Sequence, residues 1–227
     1  MIMLTSAVRR GATEKFIVGD MPKGSYEVND GAAISNAMRF AKESRADAVK
    51  LEGGISMAER IAAITKSGIP VFGHIGLTPQ SAVASGGYRV IGRESGEGQR
   101  VTEDALAVQE AGAVAVLLEA LPPTLAQAIT SSLNIPVLGI GAGPHVDGQL
   151  LILHDLLGLY PDFRPKFAQC FIPDVLDSFQ ESMAISREDA RSERLDGLRE
   201  LSRLAVESFI AATKYRTFPG ETYSYSD

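Results

Sequence analysis

Val114-Ala115-Val116-Leu117-Leu118-Glu119 is the stretch on which the fold turns: apolar residues in succession, closed by a carboxylate. A strand with one wet face alternates apolar and polar side chains. An unbroken apolar run suits a strand covered on both faces, as in the parallel sheet of an α/β protein. Runs of the same kind flank it on both sides. Upstream lie Phe16-Ile17-Val18-Gly19-Asp20, Ala48-Val49-Lys50-Leu51-Glu52 and Val71-Phe72-Gly73-His74. Downstream lie Val137-Leu138-Gly139-Ile140-Gly141 and Leu150-Leu151-Ile152-Leu153-His154-Asp155. Helical patterns fill the gaps. Ile34, Met38 and Ala41 recur at helical spacing. Ser56-Met57-Ala58-Glu59 reads as a capping box ahead of Met57, Ile61 and Ile64, and Gly68 with Pro70 stops that helix. Pro122-Pro123 opens another, with Leu125 and Ile129 facing inward. Strands alternating with helices predict βαβ units around a parallel sheet.

Two segments break this rhythm. Leu77 to Arg100 is rich in Gly and Ser and reads as a long βα loop of the kind that often carries function. Beyond residue 165 the spacing predicts helices over Asp174–Ala184 and Ser186–Thr213, the second with Leu198, Leu201, Ala205 and Phe209 on one face. The stretch from Phe218-Pro219-Gly220 to Asp227 is irregular. The division expected from this is a catalytic partial barrel over 1–171 and a helical extension with a tail, 172–227, packed on it. No linker or low-complexity segment separates them.

Composition excludes several classes. The chain has 227 residues, 45% of them hydrophobic and 22% charged, as in an ordinary globular protein. Its formal charge of −6 argues against nucleic acid as a partner. No apolar run approaches the roughly 18–20 residues that cross a bilayer, so no membrane partner is expected. Cys170 stands alone, which rules out an internal disulfide and favours a buried small residue over a nucleophile. No targeting segment is visible, and the expected compartment is cytoplasmic or mitochondrial.

In parallel α/β barrels the chemistry collects at the C-terminal ends of the strands. Those ends carry Asp20, Lys50 with Glu52, His74, Glu119 and Asp155. Lys50 and Glu52 are two apart on one strand and therefore point to the same side. Two carboxylates from neighbouring strands suit Mg²⁺, which accepts one or two protein carboxylates and keeps several waters. A lysine beside them could hold a substrate carboxylate, and Glu119 suits a general base. Plainer readings stay open: Asp20 before Met21-Pro22 as a turn opener, Lys50 and Glu52 as a structural ion pair, His74 as a satisfied core histidine, His154-Asp155 as a helix cap. Glu119 is harder to dismiss, because a carboxylate after an apolar run needs a partner. Gly139-Ile140-Gly141-Ala142-Gly143 points to close backbone approach or phosphate binding, but its spacing is not the dinucleotide fingerprint, and the continuation Pro144 to Gly148 does not resemble a P-loop.

Taken together, these segments resemble the ketopantoate hydroxymethyltransferase (3-methyl-2-oxobutanoate hydroxymethyltransferase) family. The stretches that carry the resemblance are Val18-Gly19-Asp20-Met21-Pro22 with Gly24-Ser25-Tyr26, Val49 to Gly54, Gly73 to Gln80, Gly86-Gly87-Tyr88-Arg89-Val90 with Gly92-Arg93, Glu110 to Ala113 with Leu118-Glu119, Ile135 to Gly143, His154-Asp155, and Pro165-Lys166-Phe167. They run in consistent order from about residue 3 to residue 171. The resemblance implies a TIM-type (β/α)8 barrel of the phosphoenolpyruvate mutase/isocitrate lyase-like superfamily. It implies transfer of a hydroxymethyl group from 5,10-methylenetetrahydrofolate to 3-methyl-2-oxobutanoate, giving 2-dehydropantoate for pantothenate biosynthesis by Mg²⁺-assisted enolate chemistry. By the same resemblance Asp20 and Glu52 are metal ligands, Asp20 and Lys50 bind the oxoacid, Glu119 accepts the proton and His74 supports. Its ligands are then a small oxoacid and a folate, and the chain is expected to be a homo-oligomer.

The chain departs from the family pattern at its start. Two βα units, roughly 60 residues of a typical barrel, are expected before the first strand. The family's second strand normally ends in Gly-Asp-Ser, which adds a metal-binding Asp and a substrate-contacting Ser. Six strand candidates are counted where eight close a barrel, and Met1 to Gly11 reads as the end of a helix. Lys23 stands where an aromatic is frequent, and Tyr223 near a usual histidine. The competing expectations are a non-catalytic truncated subunit that associates with a full-length homologue, and another Mg²⁺-dependent C–C lyase of the superfamily.

Overall fold

All six apolar runs are drawn into one sheet. The computed structural model describes residues 1–83, 86–160, 162–184 and 192–227. After the helix α1 (Ile2–Gly11) the chain alternates β1 (Val18–Asp20), α2 (Asp30–Ser44), β2 (Ala48–Glu52), α3 (Ala58–Lys66), β3 (Val71–Gly76), α4 (Glu97–Glu110), β4 (Ala115–Glu119), α5 (Pro123–Ser132) and β5 (Val137–Ile140). There follow β6 (Gly148–Gln149), the one-turn α6 (Leu153–Leu156), α7 (Leu176–Ala184) and α8 (Ser192–Lys214). The strands pair in parallel and in sequence order, β1-β2-β3-β4-β5-β6, as a curled, incomplete barrel. Among the described residues β1 and β6 each pair on one side only.

Local chemistry explains the element ends. The Asn29 side chain accepts from the Ala32 amide at 2.9 Å and caps α2. Pro123 opens α5, where its missing N–H costs nothing. The main core lies between the sheet and α2 to α5. There Val49, Leu51, Ile61, Ile64, Val71, Ile75, Val116, Leu118 and Ile129 are all fully buried. Each such side chain contributes about 1.5–3 kcal/mol of transfer free energy. A second cluster joins Leu156, Phe171, Val175, Ala205 and Phe218. Phe171 meets Phe209 and Phe218 edge-on at 5.7 and 5.6 Å, and these contacts fix α8 to the segment that follows β6.

Four expectations are corrected. The run 150–155 is not the sixth strand: pairing occurs at Gly148–Gln149, and Leu153–Leu156 turns helical. Of its apolar residues, Leu151 packs on the second cluster and Leu150 and Leu151 on a third around Leu117 and Phe167, while Ile152 and Leu153 are exposed. Ser56 makes no capping bond, because 55–57 forms a 3-10 turn and α3 begins at Ala58. The long loop ends early, with α4 starting at Glu97. Leu198 is 64% exposed, whereas Ala205 on the same helix is fully buried. The expected helix over Ser186–Thr213 is described from Ser192; residues 186–191 lie outside the described residues, as does Ser85 of the Gly/Ser-rich loop.

Candidate active site

Parallel register places the strand-end residues side by side. Asp20 pairs with Lys50 across β1 and β2, Glu52 with His74 across β2 and β3, and Gly76 with Glu119 across β3 and β4. Because the strands are in register at their C-terminal ends, side chains far apart in sequence line one cavity of about 830 Å³ on the inner side of the sheet.

The Lys50 Nζ donates to Asp20 Oδ1 at 2.9 Å and to Glu52 Oε1 at 3.2 Å. His74 Nε2 stands 3.1 Å from Glu119 Oε2, and its Nδ1 stands 3.6 Å from Glu52 Oε1. Both His74 nitrogens are nevertheless without an aligned hydrogen bond, although the residue is only 2% exposed. Buried polar groups are costly to leave unpaired, so this arrangement calls for a further partner in the cavity. Glu52 is buried, with 3% of its side chain exposed, while Asp20 opens to solvent with 43%. All five expected site residues therefore come together. Asp155 lines the same cavity from α6, and burial raises its carboxyl above the usual range.

Two residues of the network were not singled out from the sequence. The Gln80 amide donates to Glu52 Oε2 at 3.0 Å, and its side-chain Nε2 donates to the Met21 carbonyl at 3.1 Å. Tyr26, 2% exposed, donates to Gln80 Oε1 at 3.4 Å and accepts from the Glu52 amide at 3.3 Å. Burial pushes its phenol up to about 12, so it remains a neutral hydroxyl. Both lie in stretches that carry the family resemblance, but their partners are 26 to 59 residues away, beyond any local signal. The long loop is held by Glu97, which accepts from Arg89 at 2.5 Å and from the Gly92 amide at 3.0 Å. These bonds draw its carboxyl down to about 2.

The donor set bears on a metal. Among the described residues no group of three or more His, Cys, Asp or Glu side chains is arranged to hold an ion. Two carboxylates, Asp20 and Glu52, do converge on one cationic point, now taken by Lys50 Nζ. A pair of carboxylates with space beside it fits Mg²⁺, which fills its remaining positions with water and substrate oxygens; it would not fit an ion that needs an all-protein cage.

A curled parallel sheet with carboxylates, a lysine and a histidine at its C-terminal strand ends is the arrangement of a barrel enzyme whose strands carry the site. The fold agrees with that of phosphonopyruvate hydrolase, solved as a complex with oxalate and Mg²⁺, at a TM-score of 0.51 and 15% identity over 91% of this chain and 76% of that one. The ketopantoate hydroxymethyltransferase profile matches residues 1–196. Proteins named 3-methyl-2-oxobutanoate hydroxymethyltransferase match as well. That of Geobacter sulfurreducens is 45% identical over 226 residues, all of this chain and 76% of its own length. That of Rhizobium rhizogenes is 41% identical over 225 residues, 99% of this chain and 74% of its own. One from Campylobacter jejuni is 52% identical over 171 residues, and the match spans 62% of that relative. The chain belongs to the ketopantoate hydroxymethyltransferase family.

Proposed function

We propose that the chain transfers a hydroxymethyl group from 5,10-methylenetetrahydrofolate to 3-methyl-2-oxobutanoate, giving 2-dehydropantoate and tetrahydrofolate. Family membership supports the reaction class. The observation that carries the reading is the convergence of Lys50 Nζ, Asp20, Glu52, His74 and Glu119 on one cavity.

The roles follow from placement. Lys50 is the cation that receives the oxoacid's carboxylate, already desolvated and flanked by acceptors. Asp20 and Glu52 would hold Mg²⁺, which supplies Lewis acidity to the 2-oxo group when bound. Glu119 accepts the proton from C3, and His74, with Nε2 3.1 Å away, stands in support of that carboxylate. The carbon freed of its proton forms a C–C bond to the one-carbon unit of the folate. Both C–N bonds that tie the one-carbon unit to the folate break in turn, water supplies the hydroxyl, and the two folate nitrogens end protonated by the proton taken from C3 and one from that water. The apolar walls, Phe72, Leu117 and Ile140 among them, keep bulk water from the reacting carbon.

The test is formation of 2-dehydropantoate from the two substrates with and without Mg²⁺. Mg²⁺-dependent product supports the reading, and its absence from folded protein contradicts it. A second reading is favoured by the free edges of β1 and β6: a subunit that associates with a longer homologue of the family. Size exclusion of the two chains together decides it, since that reading requires a shared peak.

A further inference from the structure

The segment that follows α8 comes back across the molecule and ends over the cavity. Arg93, in the long loop after β3, donates to the Ser226 carbonyl at 2.6 Å and to its Oγ at 3.0 Å. Thr124, in the first turn of α5, donates from its amide and its hydroxyl to Asp227 Oδ1 at 3.1 and 2.8 Å. A carboxylate at the start of a helix is favoured by the exposed N–H groups and by the helix dipole. Two latches, more than 100 residues from the strap in sequence, therefore pin residues 226 and 227. Between them and the body of the chain, Tyr225 turns inward. Its ring packs edge-on against Phe167 at 6.1 Å, and it lines the same cavity as Glu119 and Lys50. Burial and the negative charge of Glu119 both raise its phenol, so the side chain is a neutral aromatic next to the carboxylate.

We infer that the strap 224–227 is a wall of the reaction cavity and that Tyr225 is a substrate-contacting residue, its ring closing the side of the cavity beside Glu119. Three observations converge on this. An irregular tail would have no reason to be latched twice unless its position mattered. The ring it delivers lines the cavity and is only partly exposed. The carboxylate beside it needs shielding from water if it is to take a proton from carbon. The inference rests on the proposed reaction for the identity of the ligand and for the role of Glu119.

The experiment compares the full chain with Tyr225→Ala, Tyr225→Phe, Arg93→Ala and a chain lacking residues 224–227. Kinetics for 3-methyl-2-oxobutanoate and hydrogen exchange of residues 164–168 are both measured. Removal of the strap and Tyr225→Ala should each raise KM for the oxoacid about tenfold or more with little change in melting temperature. Tyr225→Phe, which keeps the ring, should restore KM to within about threefold of the parent, and Arg93→Ala should fall between. In the unliganded chain, loss of the strap should speed exchange around Phe167 at least about fivefold. KM unchanged within twofold in Tyr225→Ala and the strapless chain overturns the inference, as does Tyr225→Phe as impaired as Tyr225→Ala. If the parent makes no 2-dehydropantoate, the proposed reaction fails separately; unchanged exchange at 164–168 then overturns the inference, and faster exchange supports it.

Discussion

The middle of the sheet and its two margins solve different problems. β2, β3 and β4 have five, six and five residues, are flanked on both sides and bury nearly every apolar side chain they carry. They present Lys50, Glu52, His74 and Glu119 from a packed base. β1 has three residues and β6 two, each pairing on one side, and the one site residue on a margin, Asp20, is the most exposed of the set. Rigid placement comes from the centre. At the margins the site depends on neighbours: Asp20 leans on Lys50, and the loop after β1 is held by Gln80.

That contrast can be broken in several ways, the largest first. Glu119→Gln removes the proton acceptor from the packed centre and should lower kcat about 10³-fold, with the melting temperature nearly unchanged, by turnover assay and calorimetry. Leu118→Ala, at the heart of the central strand, should cost about 3 kcal/mol in urea unfolding. Val18→Ala, on marginal β1, should cost only about 1 kcal/mol in the same assay. Gly76→Ala sharpens the same point locally. With φ at +88° and an added Cβ 2.4 Å from the Glu119 carbonyl oxygen, it should disturb Glu119 and lower activity while leaving β1 intact by hydrogen exchange. The remaining effect depends on pH. The Glu97 carboxyl is held at about 2 by Arg89 and two amides, so its ionised form stabilises the folded chain. That contribution is complete above the ordinary carboxylate range near pH 4.5 and is lost as pH falls toward 2. Glu97→Gln should therefore lose about 2 kcal/mol at pH 7 and show a flatter decline in acid, by thermal melts across pH 2–7.

The comparison also explains what could be read in advance. Continuous apolar runs betray strands buried on both faces, and five of the six lie where their runs predict. A polar residue closing such a run is conspicuous, which is why Asp20, Lys50, Glu52, His74 and Glu119 stood out. The sixth run misled because Leu150 and Leu151 are apolar for the sake of packing on Phe167 and the C-terminal helices, and periodicity does not say what an apolar residue packs against. Gln80, Tyr26 and Tyr225 stayed hidden for a related reason. Their meaning lies in partners that only the closed fold brings near, and a glutamine in a loop or a tyrosine in an irregular tail carries no local mark of that.

The most direct test of the central claim is Mg²⁺-dependent exchange of the C3 hydrogen of 3-methyl-2-oxobutanoate with deuterated solvent, followed by NMR without any folate. The unmodified chain should exchange this hydrogen and Glu119→Gln should not. Exchange by Glu119→Gln at the rate of the unmodified chain would contradict the account.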